Sequence, residues 1–410
     1  ADKMEVIGIL DIGEAVVPPD DSISTAKIQD DAVTTDKILD DAVTADKLAN
    51  AINTSIAANT AKVTNATHTG DVTGATALTI AADAVTPAKM ADSAFLANRN
   101  YLINGNFDVW QRGTSFAGMT QSYTNYQADR WQITPSGNSA VMTVSRQAFT
   151  AGQTDVPNNP LYYCRCDVTT AASSAASGEV TNKIEDVRTL AGKAVVLTFW
   201  GKTVSGTTTL TMRLKQNFGS GGSGDAYTSL GSAALTTTWT KFTLTATCAS
   251  VSGKTIGAGS YLGVNWYWPN NSTTTDDIDI AQFQLEEGTT ATPFEYKTFG
   301  QEFADCCRYY QNSYTSVTPD TAPARKDCWT TTSWNDGNVN FPVFPYVMRS
   351  APSVVLRNNG NLTAGKCNSN STERAAVANE IGIKLVSYIT VTSGTALSWT
   401  LFSWELDAEL

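Results

Sequence analysis

Three consecutive aromatics, Trp266, Tyr267 and Trp268, are followed by Pro269, Asn270 and Asn271. Indole faces stack on the apolar CH faces of sugar rings, and amides hydrogen-bond their hydroxyls. Trp266, Trp268, Asn270 and Asn271 are therefore candidate glycan contacts. Along a strand, Trp266 and Trp268 share one face of the sheet and Tyr267 takes the other. One of these faces must be the core, so the same residues have a packing role as the alternative. Carboxylates offer the other chemistry, because glycoside hydrolysis by the common route uses two acids about one bond. Glu286 with Glu287 and Asp276 with Asp277 are sequence neighbours. On a strand such neighbours point to opposite faces, so the sequence predicts no enzyme. His68, the one histidine, lies in the N-terminal quarter of the chain, which removes Ser-His-Asp and Cys-His catalysis from the rest. The seven cysteines include Cys164 with Cys166 and the adjacent Cys306 and Cys307, spacings unlike a zinc site. They read as buried free thiols.

The elements that must position these groups are mainly β. Short runs rich in Val, Thr and Tyr at 140–149, 194–204, 209–216, 240–247 and 260–268 alternate with Gly, Ser and Asn turns. About eight to ten such strands predict a two-sheet jelly-roll sandwich over 99–297. Within it Phe107, Trp110 and Trp131 are expected core anchors, Gly105 permits a tight turn, and the GSGGSGD run at 219–225 is a loop. An amphipathic stretch at 299–314, helix or strand, leads into a second β unit over 298–410. The tip loops around Trp329, Trp334 and 366–373 are further contact candidates by position.

Before residue 99 the composition changes: one aromatic, Phe95, and 15 acidic residues against 6 Lys plus Arg, most of the net −11. Such acidity argues against nucleic acid as a partner. No apolar run is long enough to insert in a membrane, and no signal peptide is evident. The chain opens on Ala1, consistent with processing or a fragment. Residues 21–50 repeat one decapeptide, DSISTAKIQD, DAVTTDKILD, DAVTADKLAN, and DAVTPAKMAD returns at 83–92. Each copy carries one apolar residue at its third position (Ile23, Val33, Val43, Val85) and another at its eighth (Ile28, Ile38, Leu48, Met90). That spacing matches neither the helix nor the strand period, so each copy is expected to be part extended and part a single turn. The turn would be N-capped by Ser24, Thr34, Thr44 or Thr86, with a lysine at its C-terminal end. Two apolar side chains per ten do not offset an ordering cost of roughly 1–2 kcal/mol per residue. Parallel copies around a common axis would, which predicts a stalk in a homotrimer. Leu48, Ile52, Ile56 and Val63 continue the apolar stripe at helical spacing, a short coiled coil. The expected stalk core is thus Ile23, Ile28, Val33, Ile38, Val43, Leu48, Ile52, Ile56 and Val85. Three copies of His68 on the axis would offer a metal or anion site; an exposed imidazole is the alternative.

Several motifs carry a resemblance. NYLINGNFDVWQRGTSF at 100–116, followed by YQADRW at 126–131, resembles the opening of the carbohydrate-binding-type jelly-roll domain in tail fibres of tailed bacteriophages. The segment 280–314, IAQFQLEEGTTATPFEYKTFGQEFADCCRYYQNSY, resembles the end of that domain. VFPYVMRSAPSVVL at 343–356 and the terminal WELDAEL resemble the distal β domain of such fibres, and the decapeptide with THTGDVTG resembles their stalks. The resemblance implies an elongated trimeric fibre on the virion, assembled in the host cytoplasm. Residues 1–18 would attach it to a tail or capsid protein, 19–98 form the stalk, 99–297 the jelly roll and 298–410 the distal tip. Its function would be adhesion to a host surface glycan or outer-membrane receptor, with avidity from three copies. A capsid, head or baseplate decoration fibre is the alternative, and a glycan-degrading tailspike is more remote. It also implies a structural calcium, for which Asp108 and Asp279 are the matching carboxylates, although calcium takes six to eight oxygens.

Overall fold

The computed structural model describes residues 19–20, 24, 26, 28–64, 72–73, 79–80, 98–120, 125–135, 140–171, 176–270, 277–313, 338–339, 343–358, 363–369, 371–392 and 400–410. The chain separates into two compact units, 1–89 and 90–410.

In the first unit the decapeptides at 31–40 and 41–50 each carry a three-residue 3-10 turn, at Thr35–Lys37 and Ala45–Lys47. The repeat opens on a left-handed aspartate, Asp31 at φ 65° and Asp41 at φ 63°, a conformation that Asp tolerates better than most residues. The expected hydroxyl cap is not made: Thr34 is extended at the N-cap position and its side chain bonds no turn N–H. The lysine closes the unit instead, as Lys37 Nζ donates to Ala32 O (2.7 Å) and Lys47 Nζ to Ala42 O (2.8 Å). Helix α1, Asn50–Thr64, follows and carries Ile52 and Ile56 as the spacing predicts. Of the residues expected to form a stalk core, Val33 is 57% and Ile56 52% exposed in the single chain, Ile28, Ile38, Val43 and Ile52 are similarly exposed, and Leu48 is half-buried. A two-stranded ribbon, β1 (Val72–Thr73) on β2 (Thr79–Ile80), completes the described part. Residues 1–18, Ile23, His68 and Val85 lie outside the described residues.

The second unit contains an antiparallel two-sheet sandwich. Its strands are β3 (Ser115–Met119), β4 (Trp131–Pro135), β5 (Val141–Ala148), β6 (Tyr162–Thr170), β7 (Ala176–Glu185) and β8 (Ala194–Thr203). They continue as β9 (Thr208–Asn217), β10 (Ala226–Leu235), β11 (Thr240–Thr247), β12 (Tyr261–Asn270) and β13 (Asp277–Glu287). One sheet runs β10-β9-β12-β7-β4 and the other β11-β8-β13-β6-β5-β3, the mainly β sandwich that the alternating runs predict. Aromatics fill the space between: Phe199 stacks on Phe283 at 4.6 Å, and Phe283 meets Trp131 at 5.2 Å and Trp266 at 6.2 Å. Phe107, Trp110 and Trp131 are buried, and the two indole N–H groups donate to Phe107 O and Asn104 O. Gly105 matters for close approach, since a Cβ there would stand 2.2 Å from Phe283 O.

Helix α2, Phe299–Cys307, begins at a Thr298 capping box with Gln301, which resolves the amphipathic stretch into a helix followed by β14 (Tyr310–Asn312). The remaining strands are β15 (Asn338–Val339), β16 (Ser353–Asn358), β17 (Lys366–Ser369), β18 (Thr372–Ile381), β19 (Val386–Val391) and β20 (Thr400–Asp407). They form an antiparallel sheet around β20 with its own core of Phe344, Met348, Leu356, Phe402, Trp404 and Leu406. A polar seam joins it to the sandwich. Fully buried Arg130 pairs with Glu409 and lies 3.4 Å over the Tyr309 ring. Arg112 pairs with Asp407 (3.2 Å) and Glu409 (3.3 Å) and lies 3.6 Å over Tyr310.

Candidate functional site

The outer face of the six-stranded sheet carries a cleft of about 360 Å³. Its floor comes from three adjacent strands. In β8 the alternation that sends Phe199 into the core turns Thr198 and Trp200 outward. On one side, Lys241 of β11 stands opposite Trp200 in the register. On the other, β13 is bulged between Ala281 and Gln284, where Gln282 adopts a left-handed φ of 51° and lines the cleft.

Two braced segments form the walls. Gln153 brackets Val156 through both its amide atoms (2.9 and 2.8 Å), and Gln282 Nε2 donates to Pro157 O (2.9 Å). This holds Pro157 and the left-handed Asn158 (φ 66°) at the rim. The second segment is the strap 291–294, which supplies Thr292, Pro293 and Phe294. Glu286 accepts from Thr292 N (3.1 Å) and from its hydroxyl, while Gln284 Nε2 donates to Pro293 O (3.1 Å). Arg99 lies 3.4 Å from Glu286 and neutralises it. The described residues lining the cleft therefore present a half-buried indole, a phenyl ring, two amides, two hydroxyls and one ammonium group. That set can stack on a flat apolar face and hydrogen-bond its polar edge.

Elsewhere on this face Phe149, Tyr163 and Trp239 cluster at 4.8–5.4 Å, with Lys202 Nζ 5.5 Å over the indole. Asp277 stands opposite Asp167 across β13 and β6. Burial, and then the hydrogen bond and charge of Asp167, push its carboxyl up to about 6.

The residues singled out by sequence fall differently. Trp266 is 0% exposed, packed in the aromatic core, and is corrected from glycan contact to core residue. The backbones of Trp268 and Asn270 end β12; their side chains and Asn271 lie outside the described residues, as do Trp329 and Trp334. The calcium pair is also corrected. Asp279 is fully buried with both oxygens on Arg165 (2.7 and 2.8 Å) and Lys202 3.8 Å away, so it has no free oxygen for a cation. Asp108 accepts from Asn106 Nδ2 at 2.8 Å. Among the described residues no group of three or more His, Cys, Asp or Glu is placed to hold a metal. Glu286 and Glu287 do not converge, since Glu287 pairs with Lys193 at 3.0 Å. Trp200, Lys241 and Gln282 were not singled out by sequence. The signal was present for Trp200, because TFWGK alternates a core phenylalanine with an outward tryptophan.

No family model and no curated protein matches the chain. Among solved structures it is similar to the enzymatically active domain of tailspike protein 4 of bacteriophage CBA120, with 17% identity over 46% of this chain and TM-score 0.29. The match spans 21% of that tailspike chain. It is also similar to TmCBM61 in complex with β-1,4-galactotriose, with 14% identity over 47% of this chain and all of that one, TM-score 0.27. A third is the CBM22-1–GH10 structure of Clostridium thermocellum xylanase 10B complexed with xylohexaose: 11% identity, 47% of this chain, 29% of that one, TM-score 0.29.

Proposed function

We propose that this chain is a glycan-binding adhesin, displayed as a homotrimeric fibre on a virion and reading a host surface glycan through the Trp200 cleft. The observation that carries the reading is the cleft itself: an indole on an open sheet face, flanked by amides and a hydroxyl held by braced loops. Sugars present that pair of demands together, an apolar ring face and a polar rim. The exposed apolar ladder Ile28, Val33, Ile38, Val43 supports trimerisation, since packing against other copies would cover it. Tail or capsid protein would be the partner at residues 1–18. Binding without catalysis is part of the proposal, because no carboxylate is among the described residues lining the cleft and hydrolysis takes two.

The test is staining of susceptible cells with the tagged full chain, before and after enzymatic removal of surface glycan, beside Trp200→Ala. Loss of staining in both cases is expected. Staining that survives glycan removal and the substitution would overturn the reading.

A further inference from the structure

Among the described residues lining the cleft one is charged, Lys241. The other cations around it are committed: Arg99 to Glu286 (3.4 Å), Lys202 to Asp279 (3.8 Å) and Lys193 to Glu287 (3.0 Å). Among the described residues no acid pairs with Lys241, which stands exposed beside Trp200. In a chain of net charge −11, the binding face thus keeps a single uncompensated ammonium next to its stacking platform. A neutral sugar is served equally well by amides and hydroxyls, which carry no electrostatic cost when the cleft is empty. An ammonium group left without a counter-charge is complementary to a ligand that brings one. It also offers three donors and no acceptor, which suits a carboxylate or phosphate better than a hydroxyl.

We propose that the ligand is an acidic glycan, with the Trp200 indole on a sugar ring and Lys241 on its anionic substituent. This rests on the glycan reading of the same cleft. Lys241 is then the residue that selects acidic over neutral polymers, and its exposure makes the contact sensitive to salt.

The full chain is applied to an array of matched acidic glycans (uronate-, sialate- and phosphate-bearing) and their neutral counterparts, at low and high salt, beside Lys241→Gln and Trp200→Ala. The expected result is preference for acidic members, weakened by salt and lowered about tenfold or more by Lys241→Gln. Trp200→Ala should lose both classes, with melting curves of both variants close to the parent. Neutral glycans bound as tightly as acidic ones, or acidic binding unchanged in Lys241→Gln, would overturn the acidic assignment while Trp200→Ala still supports the glycan reading. Binding to neither class, or a Trp200→Ala variant that binds like the parent, would remove the glycan reading and this inference with it.

Discussion

Arg130→Met should be among the most damaging single substitutions in the chain. Arg130 is 0% exposed, pairs with Glu409, donates to Lys183 O and stacks on Tyr309. The seam around it is close to neutral, with Arg112, Arg130 and Lys183 facing Asp129, Asp407 and Glu409. The balance is local and tight: burial, and then the charge of Arg130, lower the Lys183 ammonium to about 8. Burial also raises the Asp129 carboxyl to about 6 despite Arg112. Removing either partner of a buried ion pair leaves a charge that water cannot reach, at a cost of about 3–5 kcal/mol. Glu409→Gln should fall in the same range, because the guanidinium then remains buried near Arg112 and Lys183. The double variant should cost clearly less than the sum, since neither orphan is left.

Urea unfolding of the full chain, read by tryptophan fluorescence and analysed as a double-mutant cycle, gives these numbers. Added salt should change the parent's coupling little, because a pair inside the protein is poorly screened. Single-variant costs below about 1 kcal/mol, or strictly additive ones, would refute the view that this pair fastens the C-terminal sheet to the sandwich.

Two further outcomes test other parts of the molecule. Val33, Ile38 and Val43 replaced together by Asp should convert a trimer to monomers in multi-angle light scattering, and a surviving trimer would sink the axial-packing argument. Asp277 binds its proton more tightly folded than unfolded, so its contribution to stability is present at low pH and lost as pH rises from about 4 to about 6. Asp277→Asn should flatten the melting temperature across that window, and an unchanged pH profile would exclude Asp277 as the cause.

Much of the fold was legible because its signals are local. Alternation placed β5, β8, β9, β11 and β12 almost to the residue, and the need for bulk placed Phe107, Trp110 and Trp131 inside. What alternation leaves open is which face is inward. The sequence leaves Trp266 between glycan contact and core, and its register turns it onto Phe283; Trp200 faces outward because Phe199 beside it is core. The decapeptide's turn was legible, but not its side-chain bonding: the expected threonine cap is not made, and a lysine reaches back five residues to donate to a carbonyl. The seam was not legible at all. Arg130 and Glu409 are 279 residues apart, and each taken alone reads as an ordinary surface charge.

The cleft inherits its geometry from the core beneath it. Gln282 reaches Pro157 only because β13 bulges there, and a left-handed glutamine is a conformation the chain does not adopt unaided. The next residue supplies the restraint. Phe283 is buried between Phe199, Trp131 and Trp266, its N–H donates to Gly105 O (2.8 Å), and its carbonyl accepts from Asn100 Nδ2 (3.0 Å). Asn100 Oδ1 in turn accepts from Leu285 N at 3.1 Å, so one side chain spans the bulge. The glycine at 105 is required for the same reason, since any Cβ would strike the Phe283 carbonyl. The NGNFDVW segment thus acts on the cleft at a distance: it is not among the described residues lining it, yet it fixes the backbone that aims Gln282. Strain at a bulge beside the cleft is stable when the surroundings over-determine it, and here three hydrogen bonds and an aromatic stack do so.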